Sequence, residues 1–196
     1  MGKLSPMMQQ YMEIKDKNKD SILMYRLGDF YEMFFDDAKT CSEELDLVLT
    51  GRDCGLEERA PMCGVPYHSC EAYIARLIDR GYKVAICEQT EDPATAKGIV
   101  KRDVVRVITP GTVIEDAMLE EGKNNYLASV YIRGNECGLS FIDASTGAVT
   151  VTSISGDGFE SRLISELGRF SPSEVIINDS YKIYSSLVAL LKDNLS

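Results

Sequence analysis

Ile22-Leu23-Met24-Tyr25-Arg26-Leu27-Gly28-Asp29-Phe30-Tyr31-Glu32-Met33-Phe34-Phe35, followed by a polar and apolar run over residues 36–45, decides how the first half of the chain is read. Residues 22–27 predict a strand, stopped by Gly28-Asp29. Residues 30–35 are aromatic and apolar, with one carboxylate, Glu32, embedded among them. Residues 36–45 predict a helix whose acidic start suits the helix dipole. Upstream, Ser5-Pro6 is a helix start, a hydroxyl cap followed by proline at the first helical position. Downstream, residues 46–50 predict a second strand, 51–60 a polar loop, and 61–67 a bent apolar segment. A helix capped by Ser69 then runs to about Arg80, and strands follow at 83–88 and 104–108, either side of a loop at 92–98. Strands alternating with helices imply an α/β or α+β domain.

The charged stretch 115–125, which contains Gly122, marks a domain boundary. Beyond it, residues 126–132, 138–143 and 148–153 predict three strands joined by Gly134-Asn135 and Ser145-Thr146-Gly147, an antiparallel meander. A helix at 159–169, a strand at 174–177 and a helix at 181–191 complete the pattern.

Composition narrows the class. Over 196 residues, 44% hydrophobic and 27% charged is ordinary for a globular chain. No apolar run approaches the roughly 18 residues of a membrane span, and the N-terminus lacks the apolar core of a secretory signal. A cytosolic protein with no membrane partner is expected, and six cysteines in such a chain are expected to be reduced. The net charge is −10, unlike a generic nucleic-acid binder. Residues 1–115 hold 15 Lys and Arg against 20 Asp and Glu, and residues 116–196 hold 6 against 11. Any DNA contact must come from a local patch. Lys97, Lys101, Arg102 and Arg106 form one, opposed only by Asp103.

Several kinds of chemistry can be weighed directly. Neither Gly-x-x-x-x-Gly-Lys-Ser/Thr nor Gly-x-Gly-x-x-Gly occurs, and His68 is the sole histidine. Cys54, Cys63, His68 and Cys70 cluster, but their gaps are irregular where structural zinc uses closely spaced pairs, so buried thiols are favoured over a metal site. Asp29, Glu32, Asp36 and Asp37 lie close together, as a metal-dependent nuclease requires, yet acidic residues also open helices for dipole reasons. Glu32 has two readings. A structural one places Phe30 in the core with Glu32 facing solvent. A functional one holds that a carboxylate in such company is costly unless paired or exposed for a purpose.

Four motifs resemble the MutS mismatch-repair family. Met24 to Phe34 is similar to its Gly-Asp-Phe-Tyr-Glu signature, and Pro61-Met62-Cys63-Gly64-Val65-Pro66-Tyr67-His68 to its Pro-Met-x-Gly-x-Pro-x-His segment. Val84-Ala85-Ile86-Cys87-Glu88-Gln89 with Asp92-Pro93 is a third, and Val104-Val105-Arg106-Val107-Ile108-Thr109-Pro110-Gly111-Thr112 a fourth. The second half matches more loosely, through Phe141-Ile142-Asp143-Ala144-Ser145-Thr146-Gly147.

The resemblance implies an α/β (α+β) fold in two parts. A mixed-sheet mismatch-recognition domain covers 1–115, and after a linker at 116–124 a truncated ribonuclease-H-like connector covers 125–196. It implies that Phe30 enters the minor groove and stacks on one mispaired or unpaired base, which Glu32 hydrogen-bonds. Arg52 and Arg102 match positions of backbone-contacting arginines, with Lys97, Lys101, Arg106 and His68 as further candidates. Its partners would be double-stranded DNA with mismatches or small loops, and a downstream repair protein reached through the connector. ATP, Mg²⁺ and the homodimer would belong to the rest of the parent protein, in the bacterial cytoplasm at the nucleoid. No cofactor or catalytic site is expected in this chain. The rival is a nuclease using Asp29, Glu32, Asp36 or Asp143.

Overall fold

A computed structural model describes residues 3–92 and 94–194, and the chain divides into two compact units between Ile108 and Thr109. Pro93 of the Asp92-Pro93 pair lies outside the described residues. The first unit comprises α1 (Pro6–Lys17), β1 (Ser21–Leu27), β2 (Phe30–Phe34), α2 (Phe35–Leu45), β3 (Thr50–Arg52), β4 (Ala60–Pro66), α3 (Cys70–Asp79), β5 (Lys83–Gln89) and β6 (Arg102–Ile108). Its sheet has the order β3-β4-β2-β1-β5-β6. The sheet is mixed, because β1 pairs parallel with β5 while the other neighbours are antiparallel.

Helix α1 starts where the sequence places it, with the Ser5 hydroxyl accepting from the Met8 amide at 3.4 Å and Pro6 in the first turn. It lays Met8, Tyr11 and Ile14 on one sheet face against Leu23, Tyr25, Phe34, Ala85 and Cys87. Tyr11 meets Tyr25 and Phe34 edge-on, with centroids 5.5 and 4.9 Å apart. Each such pair adds about 0.5–1.5 kcal/mol beyond burial. Helices α2 and α3 cover the opposite face, over Met33, Val65 and Val84. The junction from β2 into α2 has no loop. Phe35 makes the turn at φ 55, a region an aromatic residue seldom occupies, and the turn carries Asp37 inward. There Asp37 accepts from the Leu23 amide at 2.9 Å and from Lys15 Nζ at 2.8 Å.

Three local expectations are corrected. Residues 46–49 are not a strand. Asp46 ends α2 in the left-handed region (φ 57), the Leu47 amide donates back to the Ser42 carbonyl at 3.1 Å, and Val48 is 79% exposed. The short strand instead spans Thr50–Arg52. Ser69 does not cap α3, since its hydroxyl donates to the Pro66 carbonyl within a 3₁₀ turn over Tyr67–Ser69. In the second unit, the helix expected at 181–191 is split. Asp179–Ile183 is a 3₁₀ turn, Tyr184 is extended, and the α-helix begins at Ser185.

The second unit comprises β7 (Tyr126–Arg133), β8 (Glu136–Asp143), β9 (Ala148–Ser155), α4 (Phe159–Phe170), β10 (Glu174–Ile177) and α5 (Ser185–Asn194). The predicted meander is present, and β10 joins it parallel to β7 in the order β10-β7-β8-β9. Leu163 and Leu167 of α4 and Leu187 of α5 are buried in one core with Val130, Leu139 and Phe141. The segment 109–112 belongs to this unit. The Thr109 hydroxyl and the Gly111 amide both donate to Glu174, and Asn125 Nδ2 donates to the Pro110 carbonyl at 2.8 Å. The compact division therefore falls ahead of residue 115. Both units show the mixed α/β class expected from the strand and helix pattern.

Candidate nucleic-acid interface

Phe30 stands at a hairpin tip. Leu27 pairs with Phe30, so β1 and β2 are joined by Gly28-Asp29 alone, with Gly28 at φ 57 as tight hairpins of this length prefer. Along β2, Tyr31 (5% exposed) and Met33 (0%) face α2 and α3. Strand alternation then puts Phe30, Glu32 and Phe34 together on the α1 face. This corrects the structural reading, because Phe30 and Glu32 share a face and Phe30 is the more exposed of the two. The α1 cluster ends around Leu27, Phe34 and Met62, which leaves Phe30 46% exposed.

Glu32 is paired. Its Oε2 lies 2.5 Å from Arg52 Nη1, with the carboxylate side chain 14% exposed and the arginine 37%. Sheet register makes the pair possible. Glu32 opposes Gly64 on β4, and β4 in turn sets Arg52 opposite Ala60. A Cβ at Gly64 would stand 3.2 Å from the Tyr31 carbonyl oxygen and 3.4 Å from Glu32 Cγ, so a bare position there makes room for the carboxylate arm.

The tip is braced from the other face by residues the sequence did not single out as site residues. Arg26 Nε donates to the Gly28 carbonyl at 2.6 Å, and its Nη1 lies 3.3 Å from Glu88 Oε1. Its guanidinium carbon stacks 3.6 Å from the centre of the Tyr67 ring, and the Tyr67 amide donates to the Asp29 carbonyl at 3.0 Å. The Tyr31 hydroxyl donates to Glu88, and burial first and this carboxylate second push the phenol well above its ordinary value, so it remains a donor. Both backbone carbonyls of the Gly28-Asp29 turn are thus held. One signal was available in sequence: Glu88 is a carboxylate set against an apolar run, as Glu32 is set within one.

The basic patch is not one surface. Lys97 and Lys101 are exposed, and Arg106 is half-buried on β6. Arg102 departs from the expected backbone-contacting role, being 8% exposed. Its Nε donates to the Arg26 carbonyl at 2.6 Å, and its Nη1 to Val100 O at 2.9 Å and Gln10 Oε1 at 3.2 Å. It ties α1 and β6 to β1. His68 is exposed in the turn after Pro66, the residue paired with Phe30, and its ring lies edge-on to Tyr67 at 5.8 Å.

The other candidate chemistries do not assemble. Asp36 is exposed and pairs with Lys39, Asp37 is turned into the core, and Glu32 is held by Arg52. Cys54 and Cys63 are buried on opposite sheet faces, with Cys54 in the α1 cluster and Cys63 donating to the Ala38 carbonyl of α2 at 3.4 Å. Among the described residues, no group of three His, Cys, Asp or Glu side chains is arranged to hold a metal ion. Asp143 is 1% exposed and closes its own turn, with Oδ1 accepting from the Ser145 hydroxyl at 2.6 Å and amide at 3.0 Å, and Oδ2 from Asn124 at 2.7 Å. These donors, the Ser145 hydroxyl foremost, hold its carboxyl down to about 2. No helix of the described residues is long and apolar enough to cross a membrane.

Comparison with known proteins gives the family. The family profile for MutS domain I matches residues 5–117, and that for MutS domain II matches residues 125–193. The chain is 58% identical over 192 residues to the DNA mismatch repair protein MutS of Ruminiclostridium cellulolyticum, covering 98% of this chain and 22% of that protein. It is 59% identical over 181 residues to the protein of the same name from Acetivibrio thermocellus, covering 92% and 21%, and 56% identical over 198 residues to that of Alkaliphilus oremlandii, covering 100% and 22%. The chain spans about a fifth of the length of these relatives. It belongs to the MutS family, of which it carries domains I and II.

Proposed function

We propose that this chain reads mispaired and unpaired bases in duplex DNA, on behalf of a longer mismatch-repair protein. The observation that carries the reading is Phe30, an aromatic ring 46% exposed on a two-residue hairpin whose turn carbonyls are both held. A half-exposed ring on a turn this firmly held is placed to enter a groove as a wedge. A mispair is already poorly stacked, so inserting a ring beside it costs less than at a Watson–Crick pair. Ring–base stacking is worth roughly 1–3 kcal/mol and tolerates any base, as a detector of many mismatches requires. A kink at the wedge makes deformability part of the readout.

Glu32 shares Phe30's face two residues on and accepts a hydrogen bond from the displaced base. Lys97 and Lys101 contact phosphate, and His68 lies at the same end of the sheet as the wedge. The net charge of −10 makes binding by this chain alone weak. The second unit relays the signal to a downstream repair partner. ATP and Mg²⁺ binding and dimerisation reside in the remainder of the longer protein, which acts in the bacterial cytoplasm.

Placing 2-aminopurine opposite the mispaired position tests the wedge. Stacking by Phe30 predicts a fluorescence change on binding that Phe30→Ala abolishes. A change that survives Phe30→Ala would mean that another group contacts the base.

A further inference from the structure

We infer that Arg52 makes one phosphate contact conditional on a mispair, by exchanging partners with Glu32. This rests on the base-reading role of Glu32 proposed above. Arg52 and Glu32 bind each other at 2.5 Å when no DNA is present. The two ends of the pair differ in access. The carboxylate is 14% exposed and tucked over Gly64, whereas the guanidinium is 37% exposed and open to an approaching anion. Among the described residues, Glu32 is the side chain that holds the Arg52 guanidinium.

A phosphate drawn to Arg52 therefore competes with Glu32 for the same guanidinium. On intact duplex, releasing Arg52 to the phosphate strands the carboxylate, partly buried and close to a polyanion, with nothing to replace the lost bond. That outcome is disfavoured, so Arg52 stays with Glu32 and the phosphate contact is not made. On a mispair, the displaced base supplies a donor to Glu32. The carboxylate keeps a partner, Arg52 turns to the phosphate, and both polar groups are satisfied. No covalent step is involved. Discrimination then comes from a coupled exchange, and repulsion of DNA by a bare carboxylate is not needed, since the resting pair is neutral overall.

Counterion release gives a readout that belongs to this exchange. Each phosphate contact adds about 0.9 to the steepness of log K against log salt. In the full-length protein, the slope for a G·T duplex should exceed that for its G·C control by about 0.9, a roughly 3.5-fold greater loss of G·T affinity over a fourfold rise in salt. Glu32→Gln frees Arg52 in both complexes, so the G·C slope should rise to meet the G·T slope. Arg52→Met removes the contact from both, so the G·T slope should fall to meet the G·C slope, and Arg52→Lys, which keeps the charge, separates loss of the contact from any folding defect. Equal slopes in the wild type, or a difference that persists in either Glu32→Gln or Arg52→Met, would overturn the exchange. Loss of the G·T preference in Phe30→Ala with equal wild-type slopes would overturn it while leaving the base-reading role standing, whereas an unchanged preference in Phe30→Ala would remove both.

Discussion

Two carboxylates, one in each unit, show how differently the chain uses an acidic residue set in an apolar strand. Glu32 lies where α1 leaves the sheet uncovered, and is held by one arginine from the far side of β4. Asp143 ends β8 with both oxygens taken by Ser145, Thr146 and Asn124, and is sealed at 1% exposure. Both lie in strands beside aromatic neighbours and both invite a catalytic reading. Their burial and the number and kind of their partners tell them apart. A carboxylate with every acceptor site filled shapes backbone, and one with a single exchangeable partner is available for recognition.

Substitutions can break or sharpen this contrast. Asp37 is the extreme structural case, and Asp37→Ala should have the largest effect on folding, about 3 kcal/mol from the lost charge-assisted bonds and the orphaned Leu23 amide. Faster hydrogen exchange at Leu23 would register it. Asp143→Ala should cost somewhat less, about 2 kcal/mol, read as lost protection at Ser145 and Thr146. That loss should depend on pH. With its carboxyl depressed to about 2 from the usual 3.8, Asp143 contributes fully above pH 3.8, and its contribution disappears as pH falls through about 2. Wild type and Asp143→Ala should therefore converge in stability at the acid end; a constant difference would mean that the carboxylate charge is not what holds the turn. Glu32→Gln should alter stability least, by under about 1 kcal/mol, because its one ion pair is partly open to solvent. A larger loss would place Glu32 with the structural carboxylates and weaken its assignment to recognition.

Much of the fold was legible in sequence because its strands are apolar runs closed by glycine, proline or asparagine, as at Gly28-Asp29 and Ser145-Thr146-Gly147. Residues 47–49 misled for a local reason. Leu47-Val48-Leu49 has strand composition, but the left-handed Asp46 reverses the chain and bonds Leu47 back to α2. The candidate site was legible one residue at a time and not as an arrangement. Phe30 and Glu32 stand out by type and position, whereas the Arg52 contact depends on the register of three strands across twenty residues. Arg102 could not be told from its basic neighbours, since a charge run does not disclose which member is drawn inward to backbone carbonyls. The brace of Arg26, Tyr67 and Glu88 joins three segments that are neighbours only in space.

Fluorescence anisotropy at low salt with the full-length protein, comparing a G·T duplex with its G·C control in wild type and Phe30→Ala, tests the central claim most directly. The wedge at the braced hairpin predicts that Phe30→Ala loses the G·T preference while retaining nonspecific binding. An undiminished preference in Phe30→Ala would contradict it, and mismatch reading would have to be sought elsewhere in the protein.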